Sequence, residues 1–303
     1  MKKILALLLT ALLAISVCAS AEEVSFQVSS PSGAPALALA ALAVDNPDAY
    51  TWLSADTIPA AFAKAEADFI VAPINAGAKL FKAGKSAYQL AAVVSWGNLY
   101  IASQKENFQL DDLNGGTVTL FGENTINSSV TLYALNAKGI VPATVEYLAG
   151  AAETQALLLQ DADAVVLTAE PALTAARMKN DKITAYAVND LYKEATGFEG
   201  FTQAGLFVNP AAAQAHPAEV AAFLTKVAES CAKCADDVDA VAEAAVTLEI
   251  LPNAKVAAAA IPNCAIRYVP AAEAREQIET TANVDLTQFG GAVPADDFYY
   301  AAE

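Results

Sequence analysis

Apolar and polar residues alternate at the start of the informative part of the chain. Val24, Phe26 and Val28 are set against Ser25, Gln27 and Ser29, and a period of two predicts a strand with one buried face. Ser30-Pro31-Ser32-Gly33 ends it with turn-forming residues. Pro35 follows where a helix can begin, since the N–H it lacks would have no helical partner there. Leu37, Leu39, Leu42 and several alanines then predict a strongly apolar helix. The plan repeats. Residues 50–53 read as a second strand, and residues 58–67 as a helix with Ile58, Phe62 and Ala65 on one face. Asp68-Phe69-Ile70-Val71-Ala72 is the apolar run of a strand buried on both sides. Pro73-Ile74-Asn75-Ala76-Gly77 turns the chain, with Asn75 as the N-cap of a helix through Phe81. Residues 88–103 read as a long extended stretch interrupted by Trp96-Gly97-Asn98.

After a polar bridge the pattern restarts. Residues 117–121 predict a strand, Gly122-Glu123-Asn124-Thr125 a loop, and residues 128–138 a helix stopped by Gly139. A strand at 145–148 and a helix at 153–159 follow. Asp163-Ala164-Val165-Val166-Leu167 then echoes residues 68–72, and Glu170-Pro171 turns into a helix through Met178. First strand to third spans 44 residues from Val24 to Asp68, and 46 from Thr117 to Asp163. Matched spacing of two β-α-β-α-β-α units predicts two similar lobes, although residue identities do not repeat. Residues 203–209 are again extended. A helix from Pro217 carries Val220, Phe223, Leu224, Val227 and Cys231 on one face. More helix runs through Ile250 and over 271–280, and the chain closes with Phe298-Tyr299-Tyr300. That region is too helical to form a lobe alone and is expected to pack on the first. The fold class is therefore α/β: two lobes, each a mostly parallel sheet flanked by helices, with a cleft between them.

The first residues add a location. Met1-Lys2-Lys3, the apolar run 4–17 and Ala19-Ser20-Ala21 form a secretory signal peptide, too short to span a membrane, with cleavage expected after Ala21. Cys18 opens a second route, a lipidated N-terminal cysteine, which bulky Val17 disfavours. Either route exports the protein. The remaining chain has 15 basic against 34 acidic side chains, a formal charge of −19. That balance argues against nucleic acid and anionic membrane surfaces as partners.

Catalytic chemistry is scarce. The single histidine, His216, precedes Pro217 at a helix start and reads as a surface or capping residue. The chain holds no G-x-S-x-G, H-E-x-x-H or G-x-G-x-x-G motif. Gly84-Lys85-Ser86 lacks the first glycine of a phosphate loop, since position 79 is Lys79. Asn127-Ser128-Ser129 fits a glycosylation sequon. Cys231 and Cys234 lie one helical turn apart and Cys264 follows later. Placed inside a helix, the pair does not match a redox C-x-x-C. Export makes a disulfide from Cys264 to one of the two the expected state. No fourth ligand stands close enough to complete a zinc site. No catalytic residue, metal or cofactor is expected.

The loops at the carboxyl ends of the predicted strands are where an open α/β sheet binds ligands. They carry Ser30, Ser32, Gly33, Ala34, Asn75, Ala76, Trp96, Gly97, Asn98, Asn124, Thr125, Ser128, Thr168, Glu170 and Gln203. No lysine or arginine is among them, so the arginine clamp for carboxylate or phosphate is missing. Neutral amides and hydroxyls, one indole and one carboxylate suit a small neutral or cationic planar molecule. Trp96 has two readings, a stacking surface for a heterocycle or a core residue near the crossing between lobes.

These features resemble the solute-binding proteins of bacterial ABC importers, more narrowly the group (NMT1-like) that binds nitrate, sulfonates and thiamine precursors. The resemblance is carried by Ser30-Pro31-Ser32-Gly33-Ala34-Pro35, by Ala67 through Pro73, by Asp112-Leu113-Asn114-Gly115-Gly116-Thr117-Val118, by Ala215-His216-Pro217-Ala218-Glu219-Val220, and by Gly290-Gly291-Ala292-Val293-Pro294. It implies a type II periplasmic-binding-protein fold with a discontinuous first lobe. Residues 1–21 would be the signal peptide, 22–102 and 201–303 the first lobe, and 103–200 the second. Chain crossings are expected near 101–104 and 200–203. It also implies a binding protein, with membrane permease subunits as partners and hinge closure on the ligand. An exported enzyme is the less favoured alternative, since related enzymes of pyrimidine-precursor synthesis need histidine- and cysteine-rich sites.

Overall fold

The computed structural model describes residues 24–301; the expected signal peptide and Cys18 lie outside the described residues. Two sheets form the frame. The first contains β1 (Val28–Pro31), β2 (Tyr50–Leu53), β3 (Phe69–Pro73), β4 (Gln89–Ser95), β10 (Ala204–Val208) and β11 (Ile266–Pro270), in the order β11-β4-β10-β3-β1-β2. The second contains β5 (Leu99–Ser103), β6 (Thr117–Phe121), β7 (Thr144–Leu148), β8 (Val165–Ala169) and β9 (Thr184–Ala187), in the order β7-β6-β8-β5-β9.

The pairing is mixed rather than mostly parallel. The β-α repeats supply the parallel pairs β1–β2, β1–β3, β6–β7 and β6–β8. Two strands that enter just after the chain crosses between sheets, β5 and β10, run against their neighbours. The first crossing is residues 96–98, not 101–104 as expected. Ile101 to Ser103 pair with β8 and β9, so the expected boundary after residue 102 falls inside a strand of the second sheet. The return occupies residues 197–203, between α7 (Val188–Thr196) and β10.

The helices follow the predicted faces. They are α1 (Ala34–Ala43), α2 (Ile58–Lys64), α3 (Ile74–Lys82), α4 (Ile126–Ala137), α5 (Ala151–Gln160) and α6 (Ala172–Arg177) before α7. Then come α8 (Pro210–Ala215), α9 (Pro217–Asp236), α10 (Val238–Thr247), α11 (Ala254–Ala260) and α12 (Arg275–Val284). Helix α1 is apolar all round and is buried accordingly: Ala36 to Ala40 are all inaccessible. Its outer side is covered by α9 and α10. Val220, Phe223, Leu224, Val227 and Cys231 of α9 pack in one cluster with Phe26, Phe69 and Leu206 of the first sheet and its approach. The rings of Phe69 and Phe223 sit 4.3 Å apart. Helix α12 goes elsewhere, against α4 beside the second sheet.

Candidate functional site

Register shows which edges of the two sheets meet. At the first sheet Ala204 stands opposite both Pro73 and Ser95, so the ends of β3 and β4 and the start of β10 share one edge. In the second, Leu99 stands opposite Ala169 and Tyr100 opposite Ala187, so the start of β5 shares an edge with the ends of β8 and β9. Only Trp96, Gly97 and Asn98 separate Ser95 from Leu99. The carboxyl ends of the repeats in both sheets are therefore brought to a common junction.

A hydrogen-bonded chain of neutral side chains fills that junction. Ser95 Oγ donates to Gln203 Oε1 at 3.1 Å, and Gln203 Nε2 donates to Asn98 Oδ1 at 3.1 Å. The same amide reaches Asn127 Oδ1, in the first turn of α4, at 3.5 Å. Asn98 Nδ2 donates to the Glu170 carbonyl at 2.8 Å, and the Glu170 N–H returns a bond to the Asn98 carbonyl at 3.0 Å. The Gln203 carbonyl accepts from Ile74 N at 3.1 Å, which ties the start of α3 to the same point. Four neutral amide or hydroxyl side chains, from the end of β4, the two crossings and α4, thus make one network across the junction. Asn127 and Ser95 were not singled out from sequence. Asn127 sits inside a sequon, and only the return of residue 203 to the first sheet brings it into contact.

Asn75 stands next to Ile74. It does not cap α3; Pro73 occupies that position, and Asn75 lies within the first turn. Its Oδ1 is buried and has no hydrogen-bond partner, as does the hydroxyl of Thr168 at the end of β8. Buried polar atoms are normally paired, so an unspent amide acceptor and an unspent hydroxyl stand at predicted site positions. Neither α3 nor α4 has an acidic residue in its first turn. Each N-terminus keeps its partial positive charge of about half a unit.

Other expected site residues are committed to the fold. Trp96 is only 3% exposed; its Nε1 donates to the Arg267 carbonyl at 2.8 Å, and the Arg267 guanidinium lies 4.4 Å from the ring centroid. Of its two sequence readings the core residue is the one observed, with one face covered by a cation. Thr125 and Ser128 both donate their hydroxyls to the Gly122 carbonyl, at 2.7 and 3.0 Å, shaping their own loop. Ser30 is buried and bonds to the Pro31 carbonyl, whereas Ser32 and Asn124 are exposed. Glu170 is buried; its carboxylate accepts from Thr174 N at 3.1 Å and Thr174 Oγ1 at 2.9 Å. Burial raises its pKa above the ordinary value, against those two bonds and the charge of Arg177. Gly97 and Gly200 permit the close crossing. A Cβ on Gly97 would stand 2.4 Å from Phe201 Cε1, and one on Gly200 2.3 Å from the Trp96 carbonyl oxygen. Asn189, in the first turn of α7, locks the crossing by donating to the Trp96 and Gly97 carbonyls, each at 2.9 Å.

The expected disulfide is absent. Cys231, Cys234 and Cys264 are all free and buried. Their Sγ atoms lie 3.7, 3.6 and 3.3 Å from the carbonyls of Ala38, Leu37 and Ala260. Burial pushes all three thiols up, Cys234 to about 12. Among the described residues no group of His, Cys, Asp or Glu is arranged to hold a metal. No described helix is long and apolar enough to cross a membrane.

Comparisons with known proteins agree with this frame. An ABC transporter protein from Parabacteroides distasonis superimposes with a TM-score of 0.77 at 22% identity, covering 92% of this chain and 99% of that one. The periplasmic aliphatic sulphonate-binding protein SsuA of Escherichia coli gives 0.70 at 16% identity, covering 92% of each. The alkanesulfonate-binding SsuA of Xanthomonas axonopodis pv. citri, solved with MOPS, gives 0.65 at 14%, covering 93% and 100%. At these identities the likeness establishes the two-sheet fold. No curated protein matches the chain in sequence. The family model described as NMT1/THI5 like matches residues 57–240, which run from α2 through both crossings into α10, and the chain belongs to that family.

Proposed function

We propose that this chain is the extracytoplasmic solute-binding component of an ABC importer, which captures a small molecule at the junction of its two sheets and passes it to membrane permease subunits. The observation that carries the reading is the neutral network Ser95–Gln203–Asn98, extended to Asn127, at the meeting point of both sheets. A site of amides and hydroxyls suits reversible binding of a small polar molecule. The relatives named above include sulphonate-binding proteins and an ABC transporter component. Export through the signal peptide, with cleavage after Ala21 or lipidation at Cys18, belongs to the same reading. The mass of the mature N-terminus distinguishes the two routes.

The favoured ligand is a small neutral or cationic heterocycle, such as a thiamine-type pyrimidine, read edge-on by Asn75, Asn98 and Asn127. Ring stacking on Trp96 is not part of it, because that ring is covered. A nitrate- or sulfonate-type anion is the second reading, favoured by the two helix N-termini without acidic residues in their first turns. Thermal shift with 4-aminopyrimidine, ethanesulfonate and nitrate separates them, since a ligand of the native state raises the melting temperature by mass action. No shift with any of the three over millimolar concentrations defeats both ligand classes. Conversion of a bound probe to product would make the chain an enzyme.

A further inference from the structure

The junction has a second tie, away from the crossings. Asp285 stands between the end of α12 and the 3₁₀ turn Leu286–Phe289. One of its oxygens accepts from Thr287 N at 3.1 Å and Thr287 Oγ1 at 2.5 Å. The other accepts from the hydroxyl of Ser129 in α4 at 2.8 Å. One turn earlier, Thr281 shares a hydrogen bond with Tyr192 of α7 at 3.2 Å and accepts from Thr202 N, on the return crossing, at 3.1 Å. On the far side of Asp285 the 3₁₀ turn lies against α3. Phe289 is buried there, and a Cβ on Gly290 would stand 3.7 Å from Lys79 Cα. Within ten residues, the segment thus touches both second-sheet helices α4 and α7, the return crossing and the first-sheet helix α3. The N-termini of α3 and α4 reach the junction from opposite sheets, through Ile74 N and Asn127.

We propose that Asp285 is a positioning residue that, through Ser129, favours the spacing of α3 and α4 seen in this structure, and so biases the width of the solute cleft between its open and closed arrangements. This rests on the solute-binding reading only for its consequence in affinity; the spacing itself is a property of the chain. Asp285 suits the role because a carboxylate bonded to neutral donors binds Ser129 more strongly than a neutral acceptor would. Burial opposes its charge, yet the hydrogen bonds from Thr287 and Ser129 hold its pKa below the ordinary value. Ser129 needs nothing from this pairing for its own helix, which is already anchored by Ile126, Val130 and Ala134 in the core.

The test measures spacing directly. Asp56 and Glu153 are exposed residues flanking the first and second sheets, and Asp56→Cys with Glu153→Cys provides two spin-label sites. The labelled protein begins after Ala21, which removes Cys18, and the described thiols Cys231, Cys234 and Cys264 are buried and stay unlabelled. Ser129→Ala should move the label–label distance distribution to longer values and broaden it. Ser129→Thr, which keeps the hydroxyl, should restore the parent distribution, and Asp285→Asn should lie between. Whichever probe raises the melting temperature of the parent should bind Ser129→Ala roughly 3- to 10-fold more weakly, the loss of one partly exposed charge-assisted hydrogen bond. An unchanged distance distribution in Ser129→Ala, with the fold intact by circular dichroism, overturns the proposal. If no probe binds the parent but the distance still responds, the tie stands and the solute reading is what fails.

Discussion

Removing the Trp96 side chain separates packing from recognition. Its ring is 3% exposed, so Trp96→Ala deletes a large buried side chain at the crossing. Truncations of this kind cost about 3–5 kcal/mol, including the cavity left behind. The hydrogen bond to the Arg267 carbonyl adds about 0.5–1.5 kcal/mol. The guanidinium on the ring contributes at the exposed end of the cation–π range, about 0.5–1 kcal/mol, because Arg267 itself faces solvent. A loss of about 4–7 kcal/mol is expected, which lowers the melting temperature by roughly 10–20 °C for a chain of this size. Calorimetry measures that loss. Titration calorimetry on the folded fraction at 20 °C, with the probe that stabilises the parent, measures affinity separately. Affinity within about threefold of the parent is the expected result, and Trp96→Phe should recover most of the melting temperature because it refills the volume. A fall of melting temperature under 2 °C together with a tenfold loss of affinity would refute the reasoning and return the indole to the ligand.

Two further outcomes follow from buried groups. Glu170 has its pKa raised by burial above the ordinary 4.5. For an acid shifted upward, the folded state binds the proton more tightly, so its contribution is greatest below the unfolded pKa and is lost as pH rises through the folded one. Glu170→Gln should therefore flatten the stability profile upward from about pH 4.5, read by urea titration at successive pH values; an identical profile in the variant counts against the assignment. The three buried thiols should resist alkylation in the native protein and all react after unfolding without reductant, as counted by mass spectrometry, and a recovery of only one would restore the disulfide excluded here.

Sequence periodicity placed many elements well and some not at all. The strands at 50–53 and 117–121 were read at their observed bounds, because β-branched and aromatic residues there stand between clear turn signals. Thr184-Ala185-Tyr186-Ala187 was missed as a strand, being short and half-buried throughout, and so was α7 after it. Strand β11 was missed because Arg267 interrupts its apolar pattern, and that arginine lies on Trp96. Local signals could not locate the first crossing either. Whether Ile101 pairs with one sheet or the other is decided by partners some 65 residues away. At the site, residue types were legible but their commitments were not. Thr125 and Ser128 look like free hydroxyls until the loop closes on Gly122, and Asn127 looks like a helix residue until Gln203 arrives.

The strand order of the first sheet has a consequence for how the molecule assembles. Strand β4 is hydrogen-bonded to β10 and β11, with a further bridge from Leu90 to Tyr299, and all of these partners lie more than a hundred residues further along the chain. Until those residues exist, β4 is an apolar ribbon with both edges bare and β3 lacks a neighbour on one side. The second sheet, by contrast, draws all its strands from the unbroken stretch 99–187. A chain emerging from its N-terminus can complete the second sheet while the first is still waiting for its own centre. Non-local pairing of this kind is slow and leaves edges open to other chains. Pulsed hydrogen exchange during refolding should find β5, β6 and β8 protected before β4; simultaneous protection would mean that the first sheet closes early in spite of its order. The half of the protein made first is, by this topology, the half finished last.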